Sequence, residues 1–188
     1  MALREIRTFE DPVLRQKCRP VEVVDDRIRM LLDDMAQTMY HEPNGGGLAA
    51  CQIGILKRAV VIDIGTGLLK LVNPEIVSAK GTQISTEGCL SFPGFWGKVK
   101  RPWQVVVRAL DENGKERKIR GTGLLAKCLC HEMDHLDGIV FTDKVIEYFN
   151  CGQDVPRLFR RRGTYPHKAR LQSPACAALP CSALVLVE

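Results

Sequence analysis

The stretch Leu124-Leu125-Ala126-Lys127-Cys128-Leu129-Cys130-His131-Glu132-Met133-Asp134-His135-Leu136-Asp137-Gly138-Ile139-Val140-Phe141 sets two histidines four residues apart, with a glutamate beside the first. On a helix, residues at that spacing share a face one turn from each other, so His131 and His135 can aim their imidazoles at one divalent metal. Glu132 then stands next to the ion without binding it. A carboxylate placed there can take a proton from an activated water and deliver it to a leaving group. Leu124, Leu125, Cys128, Leu129, Leu136, Ile139 and Val140 surround the histidines at helical spacings, which predicts a largely buried helix. Buried Glu, Asp and His side chains need partners, and a metal site supplies them.

A catalytic ion of this kind usually takes three protein ligands and one water. Cys128 lies seven residues before His135, about 10 Å along a helix axis, too far for its short side chain to share an ion with it. Cys130 points to a different side of the helix. The third ligand has to come from elsewhere in the chain.

The 188 residues, 45% of them hydrophobic, suffice for one domain with a substantial core. Met1 to Arg7 lack the apolar run of a signal peptide, and Glu5, Glu10 and Asp11 argue against a transit peptide. No run reaches the ~18 apolar residues of a membrane-spanning helix, so a cytoplasmic protein is expected. In a reducing compartment the eight cysteines read as thiols, one or more of them a metal ligand, and Cys18, Cys51, Cys128 and Cys130 as small buried hydrophobes. The net charge of +5 is concentrated in the tail. From Tyr148 onward six basic residues face two acidic ones, whereas the first 147 residues hold 21 basic against 20 acidic.

Asp11-Pro12 reads as an N-cap followed by proline at the first helical position, starting a short helix. A longer helix is predicted from Asp25 or Asp26 to His41, with Ile28, Leu31, Leu32, Met35 and Met39 on its apolar face. Pro43 to Gly47 ends it. Ala59–Ile64 and Leu68–Val72 flank Gly65-Thr66-Gly67 as a hairpin, with Asn73-Pro74 closing the second strand. Gln104–Leu110 and Lys115–Arg120 flank Asp111-Glu112-Asn113-Gly114 as another. Between the hairpins, Thr86 to Gly97 reads as extended but irregular. Helices and antiparallel hairpins in separate blocks give an α+β class, with antiparallel hairpins and sheets packed around a central helix that carries the metal motif.

Two further stretches bear on the chemistry. Gly45-Gly46-Gly47-Leu48-Ala49-Ala50-Cys51-Gln52 is a glycine loop ending in a primary amide, without the lysine and hydroxyl residue of a phosphate loop. Glu87-Gly88-Cys89-Leu90-Ser91 sets a cysteine beside a flexible glycine.

Together the three stretches resemble the peptide deformylases, from the first residues to about Val145. One family motif is matched by Gly45, Gly47, Leu48, Ala49, Ala50 and Gln52, a second by Glu87 to Ser91, and a third by His131, Glu132, Asp134, His135 and Leu136. The resemblance implies Cys89 as the third ligand. It also implies hydrolysis of the N-formyl group from the N-terminal formylmethionine of nascent polypeptides, with Glu132 as proton carrier and Gln52 and the Leu90 backbone N–H as oxyanion donors. A thiolate with two neutral imidazoles leaves a divalent ion a net positive charge. Family members are typically ferrous, so Fe2+ is expected natively, and the same ligands also suit Zn2+, Ni2+ or Co2+. The peptide is expected to lie along Gly45, Gly46, Gly47 and Gly88, a mode that favours extended ligands. Leu124 and Cys128 are expected to form a methionine pocket, although core packing explains both equally well.

Gly46 stands where the family usually has a branched apolar residue, which predicts a looser loop and a wider pocket. Cys130 replaces a common glutamine. Residues 1–147 thus read as a deformylase-like catalytic domain, and 148–188 as an atypical basic tail with prolines and cysteines. The tail reads as disordered or as sequence foreign to the natural enzyme. The expected partners are formyl-Met nascent peptides, with transient ribosome association, no DNA, no membrane and a monomeric chain.

One rival is a zinc endopeptidase of the same His-Glu-x-x-His type. Its extended signature wants a third histidine at 141, where this chain has Phe141. The rival from another class is a non-catalytic ribosome- or RNA-binding protein working through the basic tail.

Overall fold

The computed structural model describes residues 2–150. Helix α1 (Asp26–His41) starts at Asp25, whose carboxylate accepts the Ile28 N–H at 3.0 Å, and it buries the apolar face the sequence predicts. The short helix at Pro12 is a single 3-10 turn, Pro12–Arg15, capped by Asp11. It stops because the chain turns extended at Gln16 to let the Cys18 N–H reach the Leu136 carbonyl at 2.8 Å.

Strands β1 (Gly47–Ala49), β2 (Ala59–Ile62), β3 (Leu69–Lys80), β6 (Gln104–Leu110) and β7 (Glu116–Thr122) form one antiparallel sheet in the order β1-β2-β3-β6-β7. The expectation that Asn73-Pro74 ends a strand is not met. β3 runs through that pair to Lys80, with a register shift between Val72 and Glu75. Asn73 takes a left-handed conformation (φ 50°) and its side chain bonds the backbone N–H and carbonyl of Val21, both at 2.8 Å. Pro74 therefore falls at a bulge, where the ladder needs no donor from it.

The region read as extended but irregular, Thr86 to Gly97, takes in the end of one strand and the start of another on either side of a loop. β4 (Gln83–Glu87) and β5 (Phe95–Arg101) pair antiparallel, and β8 (Val145–Asn150) completes a second sheet in the order β4-β5-β8. Only Gly88 to Gly94 between them is loop. β8 straddles the expected boundary at 147/148, and the rest of the expected tail, with Cys151, Cys176 and Cys181, lies outside the described residues.

Helix α2 (Gly123–Leu136) lies on one face of the large sheet, where Ala126, Leu129, Met133 and Leu136 pack with Val60, Ile62, Leu71, Val105 and Val107. Helix α1 covers part of the other face with Leu48, Ala59, Val61 and Val72. All four residues of β2 are buried because alternate side chains enter cores on both faces. A third apolar cluster, Leu14, Cys89, Phe92, Val99, Val140 and Phe141, lies under the small sheet. The α+β class is as expected. Among the described residues no helix is long and apolar enough to cross a membrane.

Candidate metal centre

α2 presents His131, Glu132 and His135 from its last two turns, all three buried. Cys89 comes from the loop after β4, where a Cβ on Gly88 would come within 2.8 Å of the Trp96 ring, so the loop packs directly on that indole. Ligand atoms of Cys89, His131 and His135 all lie within 4.8 Å of one another, and Cys89 Sγ is 3.2 Å from His135 Nε2. This is the one such buried cluster among the described residues.

Glu87 fixes one candidate ligand from behind. Its Oε2 is 2.9 Å from Nδ1 of His131, leaving Nε2 for an ion, and Arg101 grips both carboxylate oxygens at 2.8 Å. Arg101 also bonds Asp134, which Lys144 holds from the other side at 2.7 Å. Burial works against ionising Glu87, but the Arg101 guanidinium and His131 hold its carboxyl down at about 2. Burial pushes the Glu132 carboxyl up to about 7, with the Glu87 charge acting in the same direction and His131 and Arg101 opposing. Burial also keeps His135 well below the ordinary imidazole value, so its ring stays neutral as a ligand must. His131 is buried as well, yet the Cys89 sulfur and Glu87 outweigh that and draw a proton toward the pocket. One thiol, two imidazoles and a surplus of negative charge suit a divalent cation. Glu132 Oε2 is buried without a hydrogen-bond partner among the described residues, which points it at a ligand.

Gln52 sits in a 3-10 turn, Ala50–Ile53, directly after β1. Its Oε1 accepts the Ala49 N–H at 2.8 Å, and its Nε2 donates to Ser91 Oγ at 3.1 Å and toward Cys89 Sγ at 3.5 Å. The amide is thereby oriented with its donors beside the sulfur. Leu90 is half-buried against the α1 core, next in chain to Cys89. Gly45, Gly46 and Gly47 lead into β1 at the edge of the large sheet, with the Asp63 N–H bonding the Gly46 carbonyl at 3.1 Å. A Cβ on Gly47 would come within 2.4 Å of Glu132 Oε1, so this glycine borders the centre directly.

Leu124 and Cys128 are half-buried one turn apart on α2, with Cys128 packed toward the sheet core, where burial pushes its thiol up to about 12. Cys130 is buried in the same core. Cys51 bonds the His135 carbonyl through Sγ at 3.3 Å. Sequence reasoning assigned no role to Glu87, Ser91 or Arg101. Arg101 stands opposite Gln83 in the β4–β5 ladder, so neither the local sequence nor strand pairing marks it as a partner of Glu87; its side chain reaches Glu87 and Asp134 through tertiary packing. Glu87 ends β4 and Ser91 lies in the turn closed by the Phe92 N–H on the Cys89 carbonyl, so their nearness to Cys89 in the chain was the one signal that could have found them.

A family profile described as polypeptide deformylase matches residues 3–149. The chain is 59% identical over 148 residues to peptide deformylase 2 of Clostridium acetobutylicum, covering 79% of this chain and 99% of that one. It is 56% identical over 162 residues to peptide deformylase of Acetivibrio thermocellus, covering 86% and 92%. The crystal structure of a peptide deformylase from Legionella pneumophila superposes with a TM-score of 0.74 at 46% identity, covering 77% of this chain and 86% of that one.

Proposed function

From the premise that the chain belongs to the polypeptide deformylase family, we propose a division of labour among the side chains described above. The enzyme is a metal-dependent hydrolase that removes the N-formyl group from the N-terminal formylmethionine of nascent polypeptides. Water adds and the formyl C–N bond breaks, giving formate and a free α-amine. The observation that carries the assignment of roles is the convergence of Cys89, His131 and His135 beside the unpartnered Glu132 oxygen.

Cys89 Sγ, His131 Nε2 and His135 would hold the ion. A divalent metal bound there would supply Lewis acidity and lower the pKa of water toward neutrality. Glu132 accepts the proton of the attacking water and passes it to the departing amine, a role for which its buried, unpartnered Oε2 is placed. Gln52 Nε2 and the Leu90 N–H donate to the oxyanion that develops on the formyl oxygen. The peptide backbone lies along Gly45, Gly46, Gly47 and Gly88, and Leu124 with Cys128 receives the methionine side chain. The open edge of β1 supports that path, since edge strands accept an added strand.

The native ion is Fe2+, with Zn2+, Ni2+ and Co2+ as substitutes the same donors accept. Every proposed ligand comes from one chain, so a monomer suffices. The enzyme works in the cytoplasm, in transient association with the ribosome that supplies its substrate, and residues 148–188 take no part in the chemistry. The endopeptidase reading lacks its third histidine, since Phe141 is a buried ring stacked on His131 with centroids 5.9 Å apart.

The test is formate release from a formyl-Met-Ala-Ser peptide by protein purified without oxygen and reconstituted with iron(II), nickel(II) or zinc(II). Turnover lost in Glu132→Ala and in Cys89→Ala is the expected result, with iron(II) among the active ions. Stoichiometric metal uptake without formate would overturn the assignment.

A further inference from the structure

Gly47 occupies extended strand backbone and is absent from the glycines with positive φ. Alanine would fit that backbone, and glycine inside a strand weakens it, so a glycine here calls for a steric reason. The reason is Glu132. A Cβ at position 47 would lie 2.4 Å from its Oε1, 2.8 Å from Cδ and 3.0 Å from Cγ.

The two backbones that meet at this point are both fixed. Gly47 is in register with Ile62, and the adjacent Gly46 carbonyl is held by Asp63 N–H. Helix α2 is anchored by Ala126, Leu129 and Leu136, all at 0% exposure. The Glu132 side chain is the part free to yield, because its Oε2 has no partner among the described residues to hold it.

We infer that Gly47 is a positioning residue for Glu132: the bare backbone at 47 is the wall on which the carboxylate rests, and a side chain there turns the carboxylate away while leaving the three ligands in place. This rests on the proton-carrying role of Glu132.

The experiment is Gly47→Ala, made alone and with Glu132→Asp, whose carboxylate is drawn back by one methylene. Formate release gives kcat and KM, and chelator competition on the metal-stripped proteins gives ion affinity. Alone, the substitution is expected to lower kcat about 10-fold or more, with ion affinity within about 2-fold. In the Glu132→Asp background, where the carboxyl carbon takes the Cγ place 3.0 Å from the added Cβ and the 2.4 Å contact is gone, the loss is expected to be smaller than in the single variant. Equal losses in both backgrounds, a rise in KM alone, or weakened ion binding would each overturn the inference. Should Gly47→Ala fail to fold, the double variant with Glu132→Ala, which lacks the clashing carboxylate, must fold, and its failure also overturns it. Full turnover in Glu132→Ala alone would sink the proton-carrier role and leave the steric cycle to be read separately.

Discussion

Glu87 and His131 are joined by a 2.9 Å contact between Oε2 and Nδ1, 44 residues apart in the chain. Arg101, at 2% side-chain exposure, holds the same carboxylate with two hydrogen bonds. The orientation of one candidate ligand is thus set by a buried ion pair.

Weakening that support should act on the ion before it acts on chemistry. Glu87→Gln is expected to lower metal affinity about 10- to 100-fold, measured by chelator competition. Arg101→Leu strips the buried Glu87 carboxylate of its guanidinium, leaving it only the His131 contact, and should cost about 3–5 kcal/mol in denaturant unfolding. Unchanged affinity in Glu87→Gln would show that the contact does not orient the ring.

Gln52→Leu removes the amide donor beside Cys89 and is expected to reduce kcat about 100- to 1,000-fold, with little change in KM. It also strips the Ala49 N–H of its acceptor, a stability cost of about 1–3 kcal/mol for a buried donor. Steady-state kinetics and melting curves on the same preparation separate the two effects.

Acid stability should depend on Asp34, far from the centre. Burial raises its carboxyl, but the Ala2 N–H at 2.7 Å and the Arg4 guanidinium outweigh that and hold it below the ordinary carboxylate range. A depressed folded value means the contribution is complete above the unfolded value of about 3.9 and is lost as pH falls through the folded one. Melting temperatures from pH 2 to 6 should therefore fall less steeply for Asp34→Asn than for the wild type on the acid side. Parallel curves would remove Asp34 from the account.

A chain ending at Asn150 is expected to keep the turnover of the full chain, because the proposed ligands, the base and the oxyanion donors all precede that point. Any salt-dependent affinity for RNA should go with the deleted segment. A truncated protein that folds, binds metal and fails to release formate would give the tail a role in the chemistry.

The sequence disclosed α1 and α2 because each carries its own punctuation, such as Asp25 before an apolar face and a histidine pair at one-turn spacing. The Asp111 turn was legible too, since its side chain caps the loop by accepting from Asn113 and Lys115 N–H. β4, β5 and β8 were not, because Pro93 and the glycines around it conceal strands held together by pairing across distant segments. The same dependence hid Arg101. Its neighbours in the chain, Lys100 and Pro102, do not mark a buried position, and only tertiary packing makes it a buried partner.

The two sheets form separate ladders, and the three candidate ligands straddle the seam between them, Cys89 on the side of the small sheet and the histidines on the helix packed against the large one. An ion bound there is also a clasp. Chelation would then cut one of the ties across that seam, leaving the Glu87–His131 and Arg101–Asp134 contacts to carry the load. The stripped protein should part along this line first, with the amides of β4 and β5 exchanging hydrogen ahead of those in β2 and β3.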